Sequence, residues 1–157
     1  MTEAIKNILC PIDLSDNSLA AIELATTLAK QHGAKVNLMY VAPQWSSDES
    51  VVIDERIQRR VEAAKAEFLT LGLTDDKVDL GHVFVDGNPG PEIVRASKSN
   101  DMVVMSTHGR TGLTRFLLGS VAQYVMRNAN CPVVLMRNQK IKAADKDSNE
   151  RNSPYVT

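Results

Sequence analysis

The segment STHGRTGLTRFLLGS, Ser106 to Ser120, carries the residue types that hold a phosphate. A phosphate is bound best by backbone N–H groups that converge without intervening side chains, by a helix N-terminus and by nearby cations. Gly109 and Gly112 permit close approach or positive φ, Gly119 and Ser120 stand where a helix would open, and Arg110 and Arg115 offer cationic side chains. Ser106, Thr107, Thr111 and Ser120 add hydroxyls for phosphate or ribose oxygens. A structural reading competes, because glycines in a strand-to-helix connection often do no more than make a turn. THGRTGLTRFLL puts about twelve residues between strand and helix, more than the usual roughly two to six, and long loops in compact domains are often functional. On the residues alone, an anion cradle and a structural loop both remain open.

The elements that must position this loop follow from periodicity. IKNILCPI reads as a short buried strand stopped by Pro11, and DLSDNS behind it is rich in helix-capping residues. From Ser18 to His32, Leu19, Ile22, Ala25, Leu28 and Ala29 recur at helical spacing, and Gly33 ends the helix. AKVNLMYVA is a second strand closed by Pro43. Ile53, Ile57, Val61, Ala64, Phe68 and Leu71 then mark an amphipathic helix that Gly72 ends. DKVDLGHVFV alternates Val78, Leu80, His82 and Phe84, the pattern of an edge strand with one less-buried face. Pro91 and Glu92 sit in the first turn of a short helix, DMVVMS is a fully apolar strand, SVAQYVMRNAN is a helix with Val121, Val125 and Met126 inward, and CPVVLMR is the last strand.

Strands alternating with helices, most of them without polar alternation, predict an α/β fold: an open, doubly wound, five-stranded parallel sheet with helices on both faces. The domain spans residues 1–137, and the charged, aperiodic NQKIKAADKDSNERNSPYVT reads as a flexible tail over residues 138–157. In such sheets ligands lie outside the carboxyl ends of the strands. PIDLSDNS and STHGRTG can then share a ligand only if strands one and four are neighbours.

Composition narrows the function classes. The 157 residues suit one domain, and 43% hydrophobic and 24% charged residues with a net charge of −1 give no global bias toward nucleic acid or membrane. Cys10 and Cys131 read as reduced, buried thiols, which suits a cytoplasmic protein. The apolar run in MTEAIKNILCPID is too short for a signal peptide, and no stretch approaches the roughly 18 apolar residues of a membrane span.

ILCPIDLSDNS, VNLMYVAP, VDGNPGPEIVRAS and above all STHGRTGLTRFLLGSVAQYVMRNANCPVVLMR resemble the universal stress protein family, of its UspA-like, ATP-binding type, over about Ile5 to Arg137. The resemblance implies a Rossmann-like sheet of strand order 3-2-1-4-5, which makes strands one and four neighbours. It also implies ATP binding through a glycine, two residues, a glycine, nine residues, and a glycine followed by Ser or Thr. Gly109, Gly119 and Ser120 fit that motif, while Ser106 replaces its first glycine. A serine there is tolerated if the motif needs only close approach, and harmful if it needs positive φ.

By the same resemblance Pro11, Ile12 and Asp13 lie on the adenosine side, and Val41 meets adenine through its backbone. Gly109, Arg110, Gly119, Ser120 and Val121 surround ribose and phosphates, with Ser106, Thr107 and His108 nearby and Mg²⁺ bridging phosphate oxygens. Each position has a plainer reading. Asp13 can help cap the first helix, Val41 is core-like, and His108, a single loop histidine without an evident carboxylate partner, is given no catalytic role. Trp45 can stack on adenine or simply be exposed, and Arg115 and Phe116 read as a solvated cation beside a core anchor.

No GxxxxGK[ST], GxGxxG after a strand, GxSxG, or Cys/His cluster with zinc spacing is present in the sequence. Three functions therefore compete: an ATP-binding regulatory module for the stress response, a slow ATPase or autophosphorylating enzyme, and a nucleotide-free dimeric scaffold. The resemblance further implies a homodimer through the last strand, Cys131–Arg137.

Overall fold

The computed structural model describes residues 3–43, 55–72, 77–108 and 118–137, and the expected tail, Gly109, Arg110 and Trp45 lie outside them. Strands and helices alternate along the chain: β1 (Asn7–Pro11), α1 (Asp16–His32), β2 (Lys35–Pro43), α2 (Glu55–Thr70), β3 (Leu80–Gly87), α3 (Pro89–Ser97), β4 (Met102–Ser106), α4 (Ser120–Asn128) and β5 (Val133–Met136). The sheet runs β3-β2-β1-β4-β5, with every neighbouring pair parallel. The winding reverses between β1 and β4, where Ile8 is in register with Met102 and Leu9 with Val103.

Strand alternation divides the core. Ile8, Cys10, Val36, Leu38 and Tyr40 face α1 and α2, meeting Ala21, Ala25 and Phe68. Leu9, Met39, Val103 and Met105 face α3 and α4, meeting Ile93, Ala122 and Val125. Both faces are therefore covered, as near-continuous apolar strands require.

Local chemistry sets the element ends. The Ser15 hydroxyl accepts a hydrogen bond from the Ser18 N–H at 3.2 Å, so α1 starts two residues before the apolar periodicity does. Gly33 ends α1 in the left-handed region at φ 64°, its N–H donating to the Ala29 carbonyl. Pro89 takes the first position of α3, and Pro91 and Glu92 lie in its first turn as expected. β3 is an edge strand, as its alternation predicts: Phe84 stacks on Tyr40 with ring centroids 5.2 Å apart, whereas Val83 on the other face is 38% exposed.

Two expectations need correction. Met126 does not point inward but is 52% exposed. Ala122 and Val125, three residues apart, form the packed side of α4, with the C-cap Ala129 continuing onto the same core, and one further residue turns about 100° away from it. Cys131 is only part-buried, because it lies two residues before β5. Cys10 is fully buried, and burial pushes its thiol up to about 12. Burial and then the negative charge of Asp101 also raise Cys131.

Candidate nucleotide cleft

At the carboxyl ends of β1 and β4 a cleft of about 290 Å³ opens between the two loops singled out above. Pro11, Ile12 and Asp13 enter it from the end of β1, and Val41 from β2. Ser106 and Thr107 enter from β4, and Gly119, Ser120 and Val121 from the start of α4. These are nine of the twelve residues singled out. His108 follows Thr107 but does not line the cleft, and Gly109 and Arg110 lie outside the described residues.

The rest of the wall consists of Ser18, Met39, Pro89, Ile93, Met105 and Ala122, none of them singled out from sequence. Met39 shares a strand face with Val41, so period two could have found it. Pro89 and Ile93 share a face of α3 at a spacing of four. The two methionines and Ile93 make the floor apolar, which suits a flat ring; hydroxyls and the Asp13 carboxylate supply polar groups beside it.

Asp13 both lines the cleft and orders the start of α1. One carboxylate oxygen, Oδ1, accepts from the Ser15 N–H at 3.0 Å and from the Ser15 hydroxyl at 2.5 Å, while the Asp13 N–H donates to the Ser18 hydroxyl at 3.2 Å. The capping reading of Asp13 is thus realised through Ser15, and it places the carboxylate at the cleft.

Across the cleft, α4 opens with Gly119 as its N-cap, and among the described residues no side chain caps it and no acidic residue lies in its first turn. The Gly119 N–H donates to the Thr107 carbonyl at 2.8 Å, which pinches together the two ends of the long loop. A Cβ on Gly119 would stand 2.9 Å from that carbonyl oxygen, so close approach rather than an unusual φ requires glycine here. Ser106, where the motif has its first glycine, needs no positive φ: it is a β4 strand residue, in register with Met136, and among the described non-glycine residues only Leu14 has positive φ. Its hydroxyl donates to the His108 carbonyl at 2.9 Å. His108 Nδ1 lies 2.9 Å from the Thr107 hydroxyl, and its Nε2 is buried without a hydrogen-bond partner among the described residues.

Among the described residues no helix is long and apolar enough to cross a membrane. The profile of the universal stress protein family matches residues 4–137. A universal stress protein of Methanocaldococcus jannaschii is 36% identical over 147 residues, covering 86% of this chain and 84% of that protein. The solved structure of UspA from Lactobacillus plantarum superimposes with a TM-score of 0.75 at 26% identity, covering 87% of this chain and all of that one. A universal stress protein solved in complex with cAMP shares the fold at a TM-score of 0.59 and 23% identity, covering 85% of this chain and 98% of that one.

Proposed function

The chain belongs to the universal stress protein family, and from that premise we propose that it is an ATP-binding regulatory module whose nucleotide occupancy is read on a dimer or partner surface. One observation carries the reading: an apolar floor bordered by Asp13 runs into the uncapped N-terminus of α4 within a single cleft. Adenine would lie on the floor, and the backbone of Val41 and the Asp13 carboxylate would meet base or ribose. The phosphates would face the first N–H groups of α4 and the Ser120 hydroxyl, where the helix dipole favours negative charge. Ser106, Thr107, His108, Gly109 and Arg110 would complete the phosphate side.

Among the described residues no three His, Cys, Asp or Glu side chains gather to hold a metal. A Mg²⁺ ion arriving with ATP would therefore draw its ligands mainly from phosphate oxygens and water, which its chemistry allows.

A route from cleft to sheet edge is short. The Gly119 N–H donates to the Thr107 carbonyl, and the Thr107 N–H donates at 3.0 Å to the carbonyl of Met136, the last residue of β5. All four β5 residues are only part-buried, and exposed Met126 stands on α4 nearby in sequence. Pairing of β5 with its copy would cover this edge and give the homodimer. The backbone groups of residues 132, 134 and 136 face β4, so Leu135 turns its N–H to the open edge. Leu135→Pro, which removes that edge N–H, should convert dimers to monomers in light scattering; an unchanged dimer mass would refute this interface.

The nucleotide reading is tested by denaturing freshly purified protein, identifying any released nucleotide, and titrating stripped protein with ATP, ADP, AMP and cAMP in Mg²⁺. About one equivalent of ATP per chain supports the module. Steady phosphate release would instead favour a slow ATPase, and no nucleotide with no binding would favour the scaffold.

A further inference from the structure

Between Ile12, whose N–H still pairs with the Met39 carbonyl at 2.8 Å, and Ser15, the N-cap of α1, only Asp13 and Leu14 turn the chain from strand into helix. Leu14 makes that turn at φ 65°, in the left-handed region where a Cβ is disfavoured. Glycine would adopt this backbone without strain. Leucine is held there because its side chain packs against the core under α1 and because the hydrogen bonds of Asp13 with Ser15 and Ser18 close around it.

We propose that Leu14 is the positioning residue of the cleft: its left-handed backbone aims the Asp13 carboxylate, and its packed side chain locks that turn in place. The proposal rests on the adenosine-side role of Asp13 given above. Strain at a binding loop persists only where surrounding structure over-determines it, and here packing on one side and the Asp13–Ser15 bonds on the other do so. The turn and the packing make opposite demands on the residue. Glycine satisfies the turn and loses the packing, isoleucine keeps apolar bulk but resists positive φ most strongly, and alanine loses the packing while still resisting the turn.

Leu14→Gly, Leu14→Ala and Leu14→Ile are therefore compared with wild type and Asp13→Ala, by thermal unfolding, by adenosine and ATP calorimetry, and by the amide signal of Ser15. Leu14→Gly is expected to lower Tm yet bind adenosine within about threefold of wild type and keep the Ser15 amide shift. Leu14→Ile is expected to bind about tenfold or more weakly, approaching Asp13→Ala, with that shift lost. Leu14→Ala should bind more weakly than Leu14→Gly although it retains more side chain; this pair decides the matter if the isoleucine variant does not fold. Affinities that follow Tm, with glycine weakest, overturn the proposal while leaving the nucleotide reading intact. A wild-type protein that binds no adenine nucleotide overturns both.

Discussion

α1 and α4 both begin at the cleft, yet α1 closes its own N-terminus and α4 does not. At α1 the Ser15 hydroxyl caps the helix, Asp13 braces Ser15, and Asp16 stands in the first turn. At α4 a glycine occupies the cap, and among the described residues it has no side-chain acceptor and no acidic residue in its first turn. The first N–H groups of any helix need partners, and its dipole attracts negative charge. One helix meets that need from within the chain; among the described residues the other has no side-chain cap, which is what the proposed nucleotide reading requires of it. The contrast agrees with the orientation proposed above, since an internally satisfied terminus with a carboxylate suits a neutral nucleoside and an uncapped terminus suits phosphates.

The largest effect should come from disturbing the open end. In Gly119→Ala the new methyl meets the Thr107 carbonyl oxygen at 2.9 Å and must displace the backbone that joins the loop ends. ATP affinity should fall about thirtyfold, or about 2 kcal/mol, and stability by about 1–2 kcal/mol as for other overpacked sites. Adenosine, which carries no phosphate, should bind within about threefold of wild type. Equal losses for adenosine and ATP in calorimetry would break the division between the two ends.

A matched pair of serines sharpens the comparison at a smaller scale. Ser15→Ala removes the cap of α1 and should lower unfolding free energy by about 1 kcal/mol. Ser120, exposed in the first turn of α4 and bonded to no cap, should behave oppositely. Ser120→Ala should leave stability within about 0.5 kcal/mol while weakening ATP about fivefold, as loss of one modest hydrogen bond implies. Chemical denaturation and calorimetry of both variants check the crossing, and a Ser120→Ala protein as destabilised as Ser15→Ala would show that both termini serve the fold.

Much of this arrangement is legible in the sequence, for physical reasons that differ by residue. Gly33, Pro91 with Glu92, and the capping cluster that holds Ser15 act through local backbone rules, so they mark helix ends from their neighbours alone. Ser106, Gly119 and Ser120 stand out because the loop they bound is longer than a connection from an apolar strand to a helix requires. Met39 could have been found only by way of Val41, whose strand face it shares, and Met105 does not stand out at all, since a methionine in an apolar strand reads as core wherever it lies along that strand; sheet order brings the two to one floor. Met126 misleads because a single residue on a helix separates a buried side from an exposed one. Leu14 gives no signal at all: propensity assigns left-handed turns to Gly and Asn, and packing here overrules it.

Long-range polar contacts are equally silent in sequence, and one of them extends the comparison to the opposite end of the sheet. Asp101, just before β4, accepts the N–H groups of Lys6 and Asn7 at 2.9 and 2.8 Å, closing the start of β1 with a carboxylate much as Ser15 closes α1 with a hydroxyl. The bond from Lys6 and then that from Asn7 hold its pKa below the ordinary carboxylate value. A folded-state pKa lower than the unfolded one adds stability that is fully present above the unfolded value and disappears as pH falls through the folded value. Because Asp101 is largely open to solvent, its contribution should stay under about 1 kcal/mol. Asp101→Asn keeps an acceptor and loses the charge, so it should be less stable than wild type in urea at pH 7, and the gap should narrow at an acid pH where the carboxylate takes up its proton. Urea titrations of both proteins at the two pH values measure that gap. A gap of equal size at both would mean that shape rather than charge closes this end, and the parallel with α1 would then rest on the hydrogen bonds alone.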